Sequence, residues 1–205
     1  MNPVDIDFNE KLCKQLGFIV EIDKVKNILR QSKLFDMSRY ENDAEHSWTV
    51  CVMALLLKEY ADFPVNIEKI ISMLLIHDVV EIDAGDTFLY SQQRNDVHIT
   101  EAAAAERIFG MLDDDQKNYF MNLWKEFEER KTNEAKFAAV FDRLEPMLQN
   151  YILEGYTWKK YNITYEMVVE KNKHIGEASR EIWEFALKLL DQAVKKGYLR
   201  KEKPD

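Results

Sequence analysis

The chain has 205 residues, of which 46% are hydrophobic and 32% charged, with 37 acidic side chains against 28 basic ones and a net charge of −9. That length suits one domain with a sizeable core. The acidic balance argues against a surface that coats nucleic acid or docks on an anionic membrane, while a small phosphorylated ligand stays compatible because a cation or a few arginines can hold it locally.

The opening stretch MNPVDIDFNE has neither a basic lead nor an apolar core, so no secretory signal is expected. No apolar run approaches membrane-spanning length. Cys13 and Cys51 sit in apolar helical contexts and read as buried free thiols, which points to a reducing, cytoplasmic compartment. Only 6 glycines and 4 prolines punctuate the chain, and apolar residues recur at helical spacing almost throughout. The pattern predicts helices at 7–31, 43–61, 66–80, 100–111, 114–130, 133–154 and 177–197. Asn42-Asp43, Asn66, Thr100, the Asp113–Asp115 run and Thr132-Asn133 are the expected N-caps. Asp62-Phe63-Pro64 breaks one helix pair, and Gly155 and Gly176 mark the late loops. With no repeat, low-complexity tract or linker, the prediction is all-α and a single domain.

Three segments carry chemistry. In RYENDAEHSWTV, residues 39–50, His46 stands early in a helix that turns apolar from Trp48. By itself it reads as a partly buried histidine satisfied by a backbone carbonyl. In MLLIHDVVEIDAGD, residues 73–86, four apolar residues run into His77-Asp78. An aspartate is poorly placed at the negative end of a helix dipole, so something positive belongs beside it. A divalent cation meets that need, since neutral imidazole and carboxylate are natural ligands. In EAKFAAVFDRLEPMLQNY, residues 134–151, Asp142 follows Phe141 inside an apolar stripe. Pro146 opposes its carbonyl one turn later, so a local kink is expected. The plain alternative is an edge aspartate paired with Arg143 or Lys136.

His46, His77-Asp78 and Asp142, each on its own predicted helix, resemble the H…HD…D signature of HD-domain metal-dependent phosphohydrolases. ENDAEHSW, LLIHDVVEIDAGD and EAKFAAVFDRLEPML are similar to the subfamily of 5'-deoxynucleotidases and HD-domain-containing-protein-2-like proteins. The likeness runs from about Arg30 to Tyr156. It implies a helical HD-domain fold over 1–205, with a metal-site core at about 30–156 and a C-terminal helical extension at 157–205. His46, His77, Asp78 and Asp142 would then bind one divalent transition metal, a mixed nitrogen and oxygen site suited to Mn, Co, Fe, Ni or Zn more than to Ca. In the family the positions of Glu81 and Asp86 are tied to catalysis, and in some members to a second divalent cation. Glu81 is expected to act as general acid–base through water, and Asp86 to orient water or the sugar after a tight turn at Gly85. Were the helix to continue, Glu81 would lie one turn past His77 on the same face.

Family deoxynucleotidases carry an Arg-Trp pair upstream of the first histidine. Here Arg30 is followed by Gln31, which leaves selectivity for a deoxy sugar open, and Arg39 matches a second family arginine. Both arginines are the expected substrate contacts. Glu45 and Asp83 read as outlying or solvent acids, His98 and His174 as solvent histidines, and Trp124, Trp158 and Trp183 as core or interface aromatics. The resemblance implies a hydrolase that removes phosphate from a small phosphomonoester, a nucleoside 5'-monophosphate above all, working as a homodimer with no polymer or membrane partner. Two alternatives are a metal-holding nucleotide-sensing module with little turnover and an iron-dependent oxygenase on the same fold, although 4 histidines in all are few for a di-iron site.

Overall fold

The structure is a computed structural model that describes residues 4, 6–91 and 94–202, with backbone alone for 94–98. Helix α1, Glu10–Ile22, starts where the Asn9 side chain accepts the Leu12 N–H at 3.0 Å. The expected 7–31 helix stops there. A 3-10 turn, Asp23–Asn27, leads into strand β1, Leu29–Lys33, which pairs antiparallel with β2, Tyr40–Asn42. Arg30 therefore projects from a strand and not from a helix. The cause is non-local: the backbone of 29–33 finds its partners on β2, which outweighs a weak local preference for helix.

Helix α2, Asp43–Leu57, opens on a capping box in which Asn42 accepts the Glu45 N–H and Glu45 reaches back to the Asn42 N–H. Helix α3, Ile67–Ile76, is capped by Asn66. The expected helix to residue 80 is shortened, because the N–H groups of Val79 and Glu81 bond three residues back, to Ile76 and Asp78. Glu81 thus begins a new short helix, α4, Glu81–Ala84, instead of lying one turn along α3. Gly85 closes it at φ 74°, the left-handed region that glycine enters without strain.

Helix α5, Arg94–Phe109, starts before the expected cap at Thr100, and α6 spans Asp114–Glu129. Helix α7, Asn133–Ile152, is capped by Thr132 and runs through Pro146 without ending. Beyond it come α8, Tyr156–Lys160, α9, Tyr165–Asn172, and α10, Arg180–Lys195; of these only α10 was expected. Among the described residues the fold is all-α apart from the two-stranded ribbon. Helix α7 packs against α2, α3, α6 and α10. Its apolar stripe puts Phe137, Phe141 and Leu144 into a core shared with Val50, Ile70, Met73, Leu74 and Phe109. Phe137 and Phe141 meet edge to face at 4.9 Å. Burying such side chains stabilises the chain by roughly 1.5–3 kcal/mol each, and it fixes the register of α7 that aims Asp142 at α2 and α3. Both cysteines are free and buried, and burial pushes the Cys51 thiol up to about 11. Among the described residues no helix is long and apolar enough to cross a membrane.

Candidate metal centre

Three elements meet where α2, the end of α3 and the middle of α7 pack together. His46 is fully buried and His77 nearly so, at 0% and 4% exposure. His77 Nδ1 lies 2.8 Å from the Leu74 carbonyl oxygen, which can only accept, so the ring proton sits there and Nε2 keeps its lone pair. His46 Nε2 is 3.2 Å from Asp142 Oδ1, and His77 Nε2 is 3.8 Å from the same oxygen. Asp78 places Oδ1 3.2 Å from His77 Nε2 and Oδ2 3.9 Å from His46 Nε2. The predicted quartet His46, His77, Asp78 and Asp142 is therefore brought together from three segments.

The donor set suits a divalent transition metal. His46, His77 and Asp142 each offer one atom, and these atoms lie within 4.8 Å of one another. His77 Nε2 is buried without a hydrogen-bond partner. A buried lone pair left unused is costly, and a cation would use it. Electrostatics leans the same way. Burial disfavours charge on both imidazoles, yet hydrogen bonds to Asp142 and Glu145 carry His46 up to about 10, and Asp78 and Asp142 raise His77. Burial would likewise raise Asp142, but Arg143, His46 and His77 hold it well below the ordinary carboxylate range. The cluster is a concentration of negative charge that attracts a positive one.

Arg30 and the two remaining acids form the next layer. Arg30 Nη1 lies 3.0 Å from Asp78 Oδ2 and 3.5 Å from Asp43 Oδ1, and its Nε lies 3.7 Å from Glu41 Oε2. Glu81 is held well above the ordinary range, first by burial and then by Asp78, Asp43 and Asp86; its Oε2 has no partner among the described residues. Asp86 is raised by burial, which Arg30 and the nearby Gln31 backbone partly offset. The Gly85 turn thus returns Asp86 to β1. A cavity of about 270 Å³ opens over the cluster, lined by Arg30, Gln31, Asp78, Glu81, Asp86 and Asp142 and also by Phe88, Tyr90, Arg143 and Trp158. Gln31 is held by Tyr161, whose hydroxyl donates to Oε1.

Arg39 is not brought to this cavity. It is exposed and donates from Nη1 to Glu45 Oε2 at 2.8 Å, a local pair that occupies both side chains. Asp83 is engaged by Arg107. His174 is corrected from a solvent histidine to a half-buried one whose Nε2 lacks a partner; burial, with Arg130 and Arg143, lowers it to about 4. The side chain of His98 lies outside the described residues. Trp124 and Trp158 are buried as expected, and Trp158 also lines the cavity.

Sequence reasoning missed Asp43, Glu41 and Glu145, all buried around the cluster. Asp43 was expected as a cap, a task Asn42 performs; burial and the nearby Asp78 push its carboxyl up to about 7. Glu145 offered a signal, since a carboxylate between Leu144 and Pro146 on the apolar side of a helix has to meet a buried partner.

Fold and cluster together define a helical protein with a buried two-histidine, carboxylate cluster that could hold a metal under a polar cavity. A model of the HD domain matches residues 22–183, and the chain belongs to the HD-domain family. It is 28% identical over 141 residues to the zebrafish (Danio rerio) protein named 5'-deoxynucleotidase HDDC2, covering 68% of this chain and 69% of that one. The human protein of that name is 27% identical over 136 residues, 65% of either chain. A crystal structure from Magnetospirillum magnetotacticum MS-1, described as a predicted metal-dependent phosphohydrolase, superposes with a TM-score of 0.91 at 47% identity, covering 98% of this chain and 100% of the other. An HD-domain phosphohydrolase from Listeria innocua, at 18% identity and TM-score 0.58, covers 89% and 86% and shares the fold. Family and enzyme class, a hydrolase, are those expected from the sequence.

Proposed function

We propose that the chain is a divalent-metal-dependent phosphohydrolase that removes phosphate from a small phosphomonoester, a nucleoside 5'-monophosphate. The observation that carries this reading is the convergence of His46 Nε2, His77 Nε2 and Asp142 Oδ1 within 4.8 Å, beneath a cavity that Arg30 also lines. Its volume of about 270 Å³ is that of a small-molecule pocket and too little for a polymer. The names of the HDDC2 relatives support the nucleotide. His46, His77, Asp78 and Asp142 hold the metal, which when bound supplies charge neutralisation at the phosphoryl oxygens and makes water more acidic.

The chain's own residues do the rest. Arg30 lines the cavity beside Asp78 and offers guanidinium donors to the phosphate. Glu81, whose surroundings favour its protonated form, holds a proton at Oε2 and delivers it to the leaving oxygen. Asp86, tied to β1, orients water or the sugar. Arg39 has no part in this scheme because Glu45 holds it outside the cavity. The core cluster takes side chains from Phe18 to Leu199, which supports treating the whole chain as one domain. A homodimer in the cytoplasm belongs to the same proposal, supported by Trp48, Leu55, Leu56 and Leu75 left exposed on α2 and α3; light scattering reads it.

A phosphate-release screen over ribo- and deoxynucleoside 5'-monophosphates and sugar phosphates, each with Mn, Co, Mg and Zn, tests the reading. Release from nucleoside monophosphates in a metal-dependent manner is expected. Tight nucleotide binding with no release under any metal would instead make the chain a sensing module.

A further inference from the structure

Behind His46, on the side away from the cavity, lies a second layer of polar groups. Glu145 and Gln149 stand one turn apart on α7, and Glu41 comes from β2; all three are buried. Glu145 Oε2 is 3.3 Å from His46 Nδ1, and Gln149 donates to Glu41 Oε2 at 2.9 Å. Glu145 Oε1 has no partner among the described residues. A carboxylate at 0% exposure with an unpaired oxygen weakens a fold unless something offsets it. Among the described residues its hydrogen-bond partner is the imidazole of His46.

The two histidines differ in how their rings are held. A neutral imidazole has one N–H and one lone pair, and its neighbours decide which nitrogen carries which. For His77 the backbone decides, through the Leu74 carbonyl. For His46 the backbone does not: Nδ1 faces only a side chain, Glu145.

We propose that Glu145 is the positioning residue for His46, fixing its tautomer and ring rotation so that Nε2 faces Asp142, His77 and the metal. It does for His46 what the Leu74 carbonyl does for His77. The inference rests on the reading of His46 as a metal ligand. Glu145 is not itself a ligand in this account, because the same imidazole cannot donate from Nδ1 to Glu145 and also bind a cation there.

The test uses the full chain with zinc as the probe. Zinc affinity of Glu145→Met and Glu145→Gln is measured by chelator competition, and long-range ¹H–¹⁵N spectra read the His46 tautomer. Glu145→Met is expected to weaken zinc about 10- to 100-fold. Glu145→Gln, whose amide oxygen still accepts from Nδ1–H, is expected to keep the tautomer and lose less. Should the Met variant fail to fold, the Gln variant carries the test: a switched tautomer, or outright loss of zinc, overturns the proposal. Wild-type zinc affinity in Glu145→Met overturns it as well. So does a zinc-loaded wild type whose His46 binds through Nδ1. His46→Ala separates the two claims. If that variant keeps zinc, the metal-site reading fails and this inference with it. If it loses zinc while Glu145→Met does not, the positioning role alone fails.

Discussion

Arg30 holds together an acidic pocket that could not otherwise stay charged, and its removal gives a measurable, pH-dependent loss of stability. The side chains of Asp43 and Glu41 are 0% and 3% exposed, and Arg30 lies within 3.5 and 3.7 Å of them and 3.0 Å from Asp78. Removing the cation from a buried ion pair costs about 3–5 kcal/mol, because the carboxylate left behind keeps its desolvation penalty. For a chain of this length each kcal/mol moves the melting temperature by about 2–4 °C, so Arg30→Met should lose roughly 6–20 °C. Protonation is the escape route. Both carboxyls already titrate at about 7, raised by burial and then by neighbouring acids, while Arg30 pulls them down. A folded-state value above the unfolded one means that stability is retained at low pH and lost as pH rises past the unfolded value. Without Arg30 both carboxyls rise further, so the loss should be well under half as large at pH 5.5, where they are protonated with or without Arg30, as at pH 8, where the wild-type carboxyls are ionised. Thermal melts of the metal-stripped wild type and variant at the two pH values decide it, since a bound cation would mask the effect. An equal loss at both, or a loss under about 2 °C at pH 8, would refute the reasoning.

Glu81→Gln should keep the metal content and the melting temperature while turnover falls by roughly 10²–10⁴-fold; normal turnover would send the proton through Asp86 or bulk water. Asp142→Ala should lose metal and activity together by elemental analysis and phosphate release, and full occupancy with normal activity would remove Asp142 from the site. His174 should make the fold acid-sensitive. Its folded value of about 4 lies below the ordinary 6.5, so the stability of its neutral form is complete above 6.5 and is lost as pH falls through 4. His174→Asn should flatten that fall by about 1–3 kcal/mol in denaturant melts, discounted for partial exposure; parallel curves for wild type and variant would contradict the assignment.

The candidate quartet was found through its resemblance to the H…HD…D signature, and two of its segments also break a helical apolar pattern. Asp142 stands inside the stripe of α7, and His77-Asp78 ends that of α3. The ribbon that carries Arg30 was not legible, since β1 and β2 exist only by pairing with each other, and residues 24–30 keep helical spacing up to that point. The place of Glu81 after a tightened turn was not foreseen either: the N–H groups of Val79 and Glu81 bond three residues back, and no residue in the segment signals that change. Arg39 shows the opposite case. The Asn42-x-x-Glu45 capping box is written in the sequence, and with Glu45 fixed at the helix start its pairing with Arg39 could have been read. Glu41 and His174 carried no local signal; Glu41 is buried beside Gln149 of α7, and His174 lies in the turn after α9, which packs on α7 and α10.

The central claim, that the His46, His77, Asp78 and Asp142 cluster runs phosphate hydrolysis through a divalent cation, is tested most directly by titrating metal back into stripped protein. Metal content and phosphate release from a nucleoside 5'-monophosphate are followed together at each addition. The account predicts no release from the stripped chain and release that rises in step with bound metal in the wild type, with neither recovered in His77→Ala. Full release from a chain shown by elemental analysis to be metal-free, or wild-type recovery in His77→Ala, would contradict it.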